Sequence, residues 1–96
     1  MRWRVDKQYE FLPSGDAEVI RIKIEGSAKP GEAEEWYKRI YRRDPATQTP
    51  PLYGKAYKAV VLKGGQDADI KHRRGDVYYV WEQDEPYVGL MSHYEY

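Results

Sequence analysis

The sequence predicts an α+β fold, a two-layer domain in which one amphipathic helix packs on a mostly antiparallel sheet of four or five strands. Three observations predict it. Apolar residues alternate with polar ones in several short segments, as they do in half-buried strands. They recur at helical spacing in one segment, at about residues 31–43. The 96 residues contain no evident linker, so residues 1–96 are expected to form a single domain with the element order ββαββ(β).

The first two strands are predicted at residues 2–11 and 18–25. Both segments place large apolar side chains on one parity and charged side chains on the other. The inward-facing residues are Trp3, Val5, Tyr9 and Phe11 in the first segment and Ile20, Ile22 and Ile24 in the second. Pro, Ser, Gly and Asp at positions 13–16 favour a turn between them, so the two strands are expected to form a hairpin.

The helix is predicted because Ala33, Trp36, Tyr37 and Ile40 fall on one face of an α-helical wheel. Glutamates gather in its first turn and basic residues in its last turn, where each charge suits the helix dipole. Asp44-Pro45 is expected to end the helix, because a proline disfavours helical backbone at the residue before it.

After the helix, residues 44–54 are predicted to be an extended connection, rich in proline and threonine. Strands are predicted at residues 55–63, 76–83 and 87–94. The first of these is expected to be followed by a turn at Gly64-Gly65.

Residues 69–89 resemble the middle of an SH3 domain. The resemblance lies in Asp69-Ile70, Arg73-Arg74-Gly75-Asp76, Val77-Tyr78-Tyr79-Val80 and Tyr87-Val88-Gly89. The tryptophan of that family's peptide groove would fall at Pro86, however, and residues 1–54 have no counterpart in it. We therefore interpret the segment as a local hairpin, since turn chemistry alone explains its pattern. The order strand–strand–helix–strand also resembles a β-grasp, in element order only.

Composition limits the classes of function. Sixteen basic and sixteen acidic residues give zero net charge, which leaves only local patches to attract nucleic acid, and no membrane binding is expected. The chain has no cysteine, no long apolar run and a charged N-terminus, so we expect neither disulfides, nor a membrane span, nor a signal peptide. A cytoplasmic protein fits these features. One third of the residues are charged and asparagine is missing, a composition typical of thermophiles.

The sequence predicts no catalytic residue, no metal site and no cofactor. His72 and His93 are the two histidines, and neither belongs to a nucleophile motif or a metal-ligand spacing. An enzyme is therefore disfavoured. A pair of carboxylates brought together by folding stays open as an alternative, because such pairs are assembled in space and leave no sequence motif.

The aromatic residues favour a binding protein. The chain has ten tyrosines and three tryptophans, and tyrosine combines a large ring with a hydroxyl that needs a partner. Six aromatic residues are enough to fill one small core, namely Trp3, Phe11, Trp36, Tyr37, Tyr57 and either Tyr79 or Trp81. The partner-binding residues predicted from the remaining rings and the acidic C-terminal segment are Tyr53, Trp81, Tyr87 and Tyr94. The expected partner is another protein or a second copy of this chain, as in a homodimer.

The alternative function is a nucleic-acid-binding module for RNA or single strands. Its residues are two basic clusters: Lys38, Arg39, Arg42 and Arg43 at the helix end, and Lys71, Arg73 and Arg74, with His72 in the same basic run, before the Gly-Asp turn. If folding brings the clusters together near Tyr41 or Tyr78, they can hold phosphates while a ring stacks on a base. The simpler interpretation is that the first cluster complements the helix dipole and the second lies in a solvated loop.

Overall fold

One helix packs against a four-stranded antiparallel sheet in the computed structural model, which describes residues 3–88. The elements are β1 (Gln8–Phe11), β2 (Ile20–Ser27), α1 (Glu32–Tyr41), a 3-10 turn (Pro45–Thr47), β3 (Ala56–Lys63), β4 (Gly65–Asp67), β5 (Ile70–His72) and β6 (Val77–Trp81). The sheet has the order β1-β2-β3-β6, and β4 and β5 form a separate two-stranded sheet. The predicted α+β class and two-layer arrangement are confirmed.

The predicted hairpin between the first two strands is confirmed. Phe11 pairs with Ile20 and Tyr9 with Ile22, so these apolar side chains lie on the face of the sheet that packs into the core. The first strand begins at Gln8, however, and not at residue 2. The chain turns at Asp6, whose φ is 67°, and this turn leaves Val5 exposed.

The N-terminal segment still contributes to the core through Trp3. Its indole is fully buried, and its Nε1–H is 3.1 Å from the carbonyl oxygens of both Trp81 and Asp84. The indole therefore ties the start of the described chain to the segment that follows β6.

The helix begins at Glu32 and ends at Tyr41, slightly inside the predicted range. Arg42 adopts left-handed backbone with φ 57° and donates its N–H to the Lys38 carbonyl at 2.9 Å, which closes the helix. Trp36 lies against β6, with its ring centre 4.8 Å from that of Tyr78 and 5.4 Å from that of Tyr79. These contacts place α1 at the β6 end of the sheet.

The connection at residues 44–54 is partly folded. Asp44 accepts a hydrogen bond from the Ala46 N–H at 3.0 Å and so caps the 3-10 turn. The Leu52 N–H donates to the Pro45 carbonyl at 2.9 Å and draws the loop back onto this turn. The predicted strand at residues 55–63 is confirmed as β3.

The segment after β3 differs from the prediction. The predicted Gly64-Gly65 turn leads into the β4–β5 hairpin, which docks on the first hairpin through the Glu18 N–H and the Gln66 carbonyl at 2.7 Å. No barrel forms among the described strands, unlike in an SH3 domain, and all sheet neighbours are antiparallel, unlike in a β-grasp. Tyr87 and Val88 are not in a strand, and the rest of the predicted strand at 87–94 lies outside the described residues.

The core takes more rings than the sequence suggested. Its buried aromatic residues are Trp3, Phe11, Trp36, Tyr37, Tyr57, Tyr78, Tyr79 and Trp81. Tyr79 and Trp81 are thus both buried, where the sequence assigned one of the two to the core. Within residues 3–88, no helix has the length and apolar character needed to cross a membrane.

Candidate functional site

Four hydrogen-bonding side chains meet beneath the C-terminal end of α1, where the β4–β5 hairpin approaches β6. They are Tyr41, Asp67, His72 and Tyr78, named here the polar cluster. Asp67 and His72 are 3% and 5% exposed, respectively. Burial of a carboxylate is costly without partners, so the hydrogen bonds that it accepts decide whether the arrangement is stable.

Asp67 is the centre of the polar cluster. Its Oδ2 accepts a hydrogen bond from the Tyr41 hydroxyl, whose oxygen is 2.5 Å away, and lies 2.9 Å from His72 Nε2. Its Oδ1 accepts a hydrogen bond from the Ser14 hydroxyl at 3.3 Å. The Tyr41 oxygen also lies 3.2 Å from His72 Nε2 and 3.4 Å from the Tyr78 oxygen. These contacts join α1, the first hairpin, the small sheet and β6.

The small sheet positions Asp67 and His72 through its tight pairing. Gly65 pairs with His72, and Asp67 with Ile70. The neighbouring Gly64 is required by a close approach, because a Cβ built there would lie 1.9 Å from the His72 carbonyl oxygen. Glycine at this position therefore allows the hairpin to fold tightly enough to carry both side chains inward.

The electrostatics fix the roles of the polar cluster. Burial raises the pKa of Asp67, but hydrogen bonds from His72, Tyr41 and Ser14 together outweigh it and lower the pKa below its usual value. Burial is the main cause that raises the pKa of Tyr41 and of Tyr78. The stable form at neutral pH is therefore an Asp67 carboxylate that accepts hydrogen bonds from neutral hydroxyls.

A cavity of about 340 Å³ lies beside the polar cluster. Aromatic side chains form most of its wall, including Phe11, Trp36, Tyr37, Tyr41, Tyr78 and Trp81. Two carboxylates line it, Asp67 and Asp84, together with the guanidinium of Arg43, which lies 5.9 Å from the centre of the Tyr41 ring.

Asp84 differs from Asp67 in its environment. Burial raises the pKa of Asp84, and a hydrogen bond from the Trp81 N–H, at 2.8 Å, only partly opposes this effect. Two carboxylates on one cavity thus have pKa values that move in opposite directions. Such pairs are common at sites that bind or transfer charge, although structural ion pairs show them too.

The predicted partner-binding residues occupy different environments. Tyr53 and Tyr87 are 66% and 39% exposed, whereas Trp81 is 2% exposed and belongs to the core and to the cavity wall. A side chain so buried is not presented to a partner in this fold. Tyr94 lies outside the described residues.

The two basic clusters meet at one point. Arg39 of α1 and Lys71 of β5 line a shared cavity of about 250 Å³ next to His72 and Trp36. The other basic residues point elsewhere or lie in turns. Arg43 lines the aromatic cavity, Lys38 lines a different cavity with Glu34 and Glu35, Arg42 ends the helix, and Arg73 and Arg74 are exposed before β6.

Sequence reasoning did not find the polar cluster. It treated His72 as part of a basic run and considered Tyr41 and Tyr78 only as rings that stack on bases. The strands that carry Asp67 and His72 have three residues each, too short for a periodic pattern. In the described part of the chain, no group of three or more His, Cys, Asp or Glu residues is arranged to hold a metal ion. Comparisons of the chain with protein families, curated proteins and solved structures find no match.

Proposed function

We propose that the chain is a small non-enzymatic binding protein that docks onto another protein through residues 51–55 and 82–88, named here the docking surface. The observation that carries this proposal is that two tyrosine rings, Tyr53 and Tyr87, stay exposed although the core buries most other aromatic side chains. Exposed rings of this size commonly face a partner, because tyrosine provides a rigid contact area with little loss of side-chain entropy.

The two segments of the docking surface are neighbours. The Gln83 side chain donates to the Pro51 carbonyl at 3.2 Å, and the Glu82 N–H donates to the Lys55 carbonyl at 2.8 Å. Further along, the Tyr87 N–H donates to the Glu10 carbonyl at 2.7 Å, which holds this segment against the edge of β1. The two tyrosines are therefore presented by backbone that is tied to the sheet.

The charge of the docking surface favours a basic partner. Residues 82–88 contain three carboxylates and no lysine or arginine, and residues 51–55 add one lysine, Lys55, so the docking surface has a net charge of −2. Acidic groups around aromatic anchors steer the approach of a basic surface and disfavour acidic ones. We therefore expect a partner whose binding face carries lysine and arginine side chains, and we treat self-association as a separate outcome of the test.

Replacing Tyr53 and Tyr87 by serine in one variant should leave stability within about 0.5 kcal/mol of wild type, because exposed side chains contribute little to folding. Binding of the protein partner to this variant should be lost. The partner is isolated by cross-linking in an extract of the source organism, purified, and titrated into wild type and variant by calorimetry. Light scattering on a sizing column measures self-association in parallel.

Val77→Ser is the matched control, because Val77 is an exposed apolar residue on β6, outside the docking surface. The proposal requires that this control binds the purified partner like wild type. If the double tyrosine variant binds it equally well, the docking surface is placed wrongly. Self-association that the double variant abolishes would identify a second copy as the partner, in place of a basic protein.

The second candidate function is binding of RNA or single-stranded nucleic acid. One observation favours it: Arg39 and Lys71, from different clusters, line the same cavity beside Trp36 and His72. Cations near an aromatic ring suit a phosphate and a stacked base. Asp76 lines this cavity too and weakens its positive potential, which is why we rank this function second.

The double change Arg39→Glu and Lys71→Glu is expected to abolish any nucleic-acid binding while the domain stays folded, since both side chains are exposed. Fluorescence anisotropy with a labelled mixed-sequence single strand measures it, and affinity should fall steeply with added salt. The control is Lys7→Glu with Lys63→Glu, which changes the net charge equally at exposed sites outside both clusters. An equal loss of affinity in the two double variants, or an affinity that does not change with salt concentration, would exclude a specific nucleic-acid site.

A further inference from the structure

The aromatic cavity combines features that suit one class of ligand. Its volume of about 340 Å³ lies at the lower end of the range of about 300–1,000 Å³ that is usual for ligand pockets. Most of its wall is aromatic. The three charged residues that line it come from different parts of the fold: Asp67 from β4, Asp84 from the segment after β6, and Arg43 from just after α1.

A cation is favoured over an anion by the balance of charge. Two carboxylates line the cavity against one guanidinium, and Arg43 itself is exposed. The charges of Asp67, Asp84 and Arg43 all affect the pKa of the Tyr37 hydroxyl, so all three lie within electrostatic range of that oxygen. An anion there would meet both carboxylates at close range, at a cost that rises in a low-dielectric site.

The rings favour an organic cation. The face of an aromatic ring attracts ammonium and guanidinium groups, with tryptophan and tyrosine as the strongest partners. The chain already uses this attraction, because the guanidinium of Arg43 lies over the Tyr41 ring at 5.9 Å. A bare metal ion is a poor fit, since the described residues hold no group of three potential ligands.

We propose that this cavity binds a small organic cation, with its ammonium group between Asp67 and Asp84 and its carbon atoms against the rings of Trp36, Tyr37 and Tyr78. The ligand would interact most strongly with Asp84, because among residues 3–88 its carboxyl accepts one hydrogen bond, from the Trp81 N–H, whereas Asp67 has three partners. The ammonium group would place a positive charge beside this half-buried carboxyl. The cavity shares Asp84 with the docking surface, but Tyr53 and Tyr87 do not line it. The tyrosine variant and the cation titration therefore test different contacts, and either proposal can fail without the other.

The test uses two probes of equal shape, choline and its neutral isostere 3,3-dimethylbutan-1-ol, in a titration of the full chain followed by ¹H–¹⁵N NMR. The indole signals of Trp36 and Trp81 report on the cavity wall. The backbone amide of Lys23, on β2, is the reference because Lys23 does not line the cavity, whereas the Trp3 indole is hydrogen-bonded to the Trp81 and Asp84 carbonyls. We expect saturable shifts at Trp36 and Trp81 with choline, and affinity about tenfold higher than for the isostere. n-Butylammonium and n-butanol, which have equal numbers of heavy atoms, form a second pair, which separates primary from quaternary ammonium ligands.

Two variants locate the cation. Asp84→Asn keeps an acceptor for the Trp81 N–H but removes the charge, so it should weaken choline binding several-fold and leave the isostere unchanged. The matched control Asp69→Asn removes an exposed carboxylate from the turn of the small sheet and should bind choline like wild type. Arg43→Gln removes the cation that competes at the cavity and should strengthen binding.

Three results would overturn the proposal. The isostere could bind as tightly as choline, which would indicate an apolar cavity without charge selectivity. Asp84→Asn and Asp69→Asn could bind choline equally, which would place the cation elsewhere. Both ammonium probes could also leave the indole signals unmoved at about 50 mM, well above the millimolar Kd that corresponds to a binding free energy of about 4 kcal/mol.

Discussion

Trp36→Ala is expected to lower the free energy of unfolding by about 3–5 kcal/mol, because it removes the ring that packs between α1 and β6. Trp36 is 4% exposed and packs against Tyr78, Tyr79 and Tyr41. Without the ring, the protein loses the free energy gained by moving that ring from water into the core. The substitution also leaves a cavity that the rigid neighbours cannot fill. The total free energy of unfolding of such a domain is about 5–15 kcal/mol, so the expected loss is a large part of its stability.

Urea and thermal unfolding followed by circular dichroism measure this effect. A loss of about 3 kcal/mol should lower Tm by more than 10 °C, since about 1 kcal/mol corresponds to about 4–8 °C in a domain this small. Lys38→Ala is the control, because Lys38 lies on the exposed face of the same helix. If Trp36→Ala melts within a few degrees of wild type, the helix does not pack through this ring and Trp36 becomes a candidate for an interface.

Asp67→Ala is expected to destabilise the fold by about 3–5 kcal/mol at neutral pH, because it breaks a buried pair by removing one member. The His72 Nε2 and the Asp67 Oδ2 are 2.9 Å apart, and both side chains are almost fully buried. The variant also removes the acceptor of the Tyr41 and Ser14 hydroxyls. Polar groups left buried without partners carry most of the cost.

The pH dependence of this loss has a definite sign. The pKa of Asp67 is lower in the folded protein than in the unfolded chain, so the carboxylate stabilises the fold above the unfolded value of about 3.9. That contribution disappears as the pH falls through the lowered folded pKa. The difference in stability between wild type and Asp67→Ala should therefore be largest near pH 7 and shrink in acid.

Asp69→Ala provides the comparison, because Asp69 is exposed in the turn of the same hairpin. Its stability should stay within about 0.5 kcal/mol of wild type over the whole pH range. A gap between wild type and Asp67→Ala that stays constant down to about pH 2 would show that the charge of Asp67 does not stabilise the fold.

The sequence by itself determined the main secondary structure, because local patterns encode it. The alternation of Ile20, Ile22 and Ile24 fixes the inward face of β2, since a shift by one residue would bury charged neighbours. The spacing of Ala33, Trp36 and Tyr37 fixes the buried face of α1 in the same way. These features depend on residues a few positions apart, and such residues can be identified without the fold.

Only the tertiary structure decided which tyrosines are buried and which side chains form the polar cluster. Tyr53 and Tyr57 are the same residue type four positions apart, yet one lies in a loop and the other faces the core. Tyr41 and Asp67 are 26 positions apart and meet because the small sheet docks beneath the end of α1. The hydrogen bonds that make a buried carboxylate stable come from three separate elements, the first hairpin, α1 and β5, and no local pattern records how those elements approach each other in space.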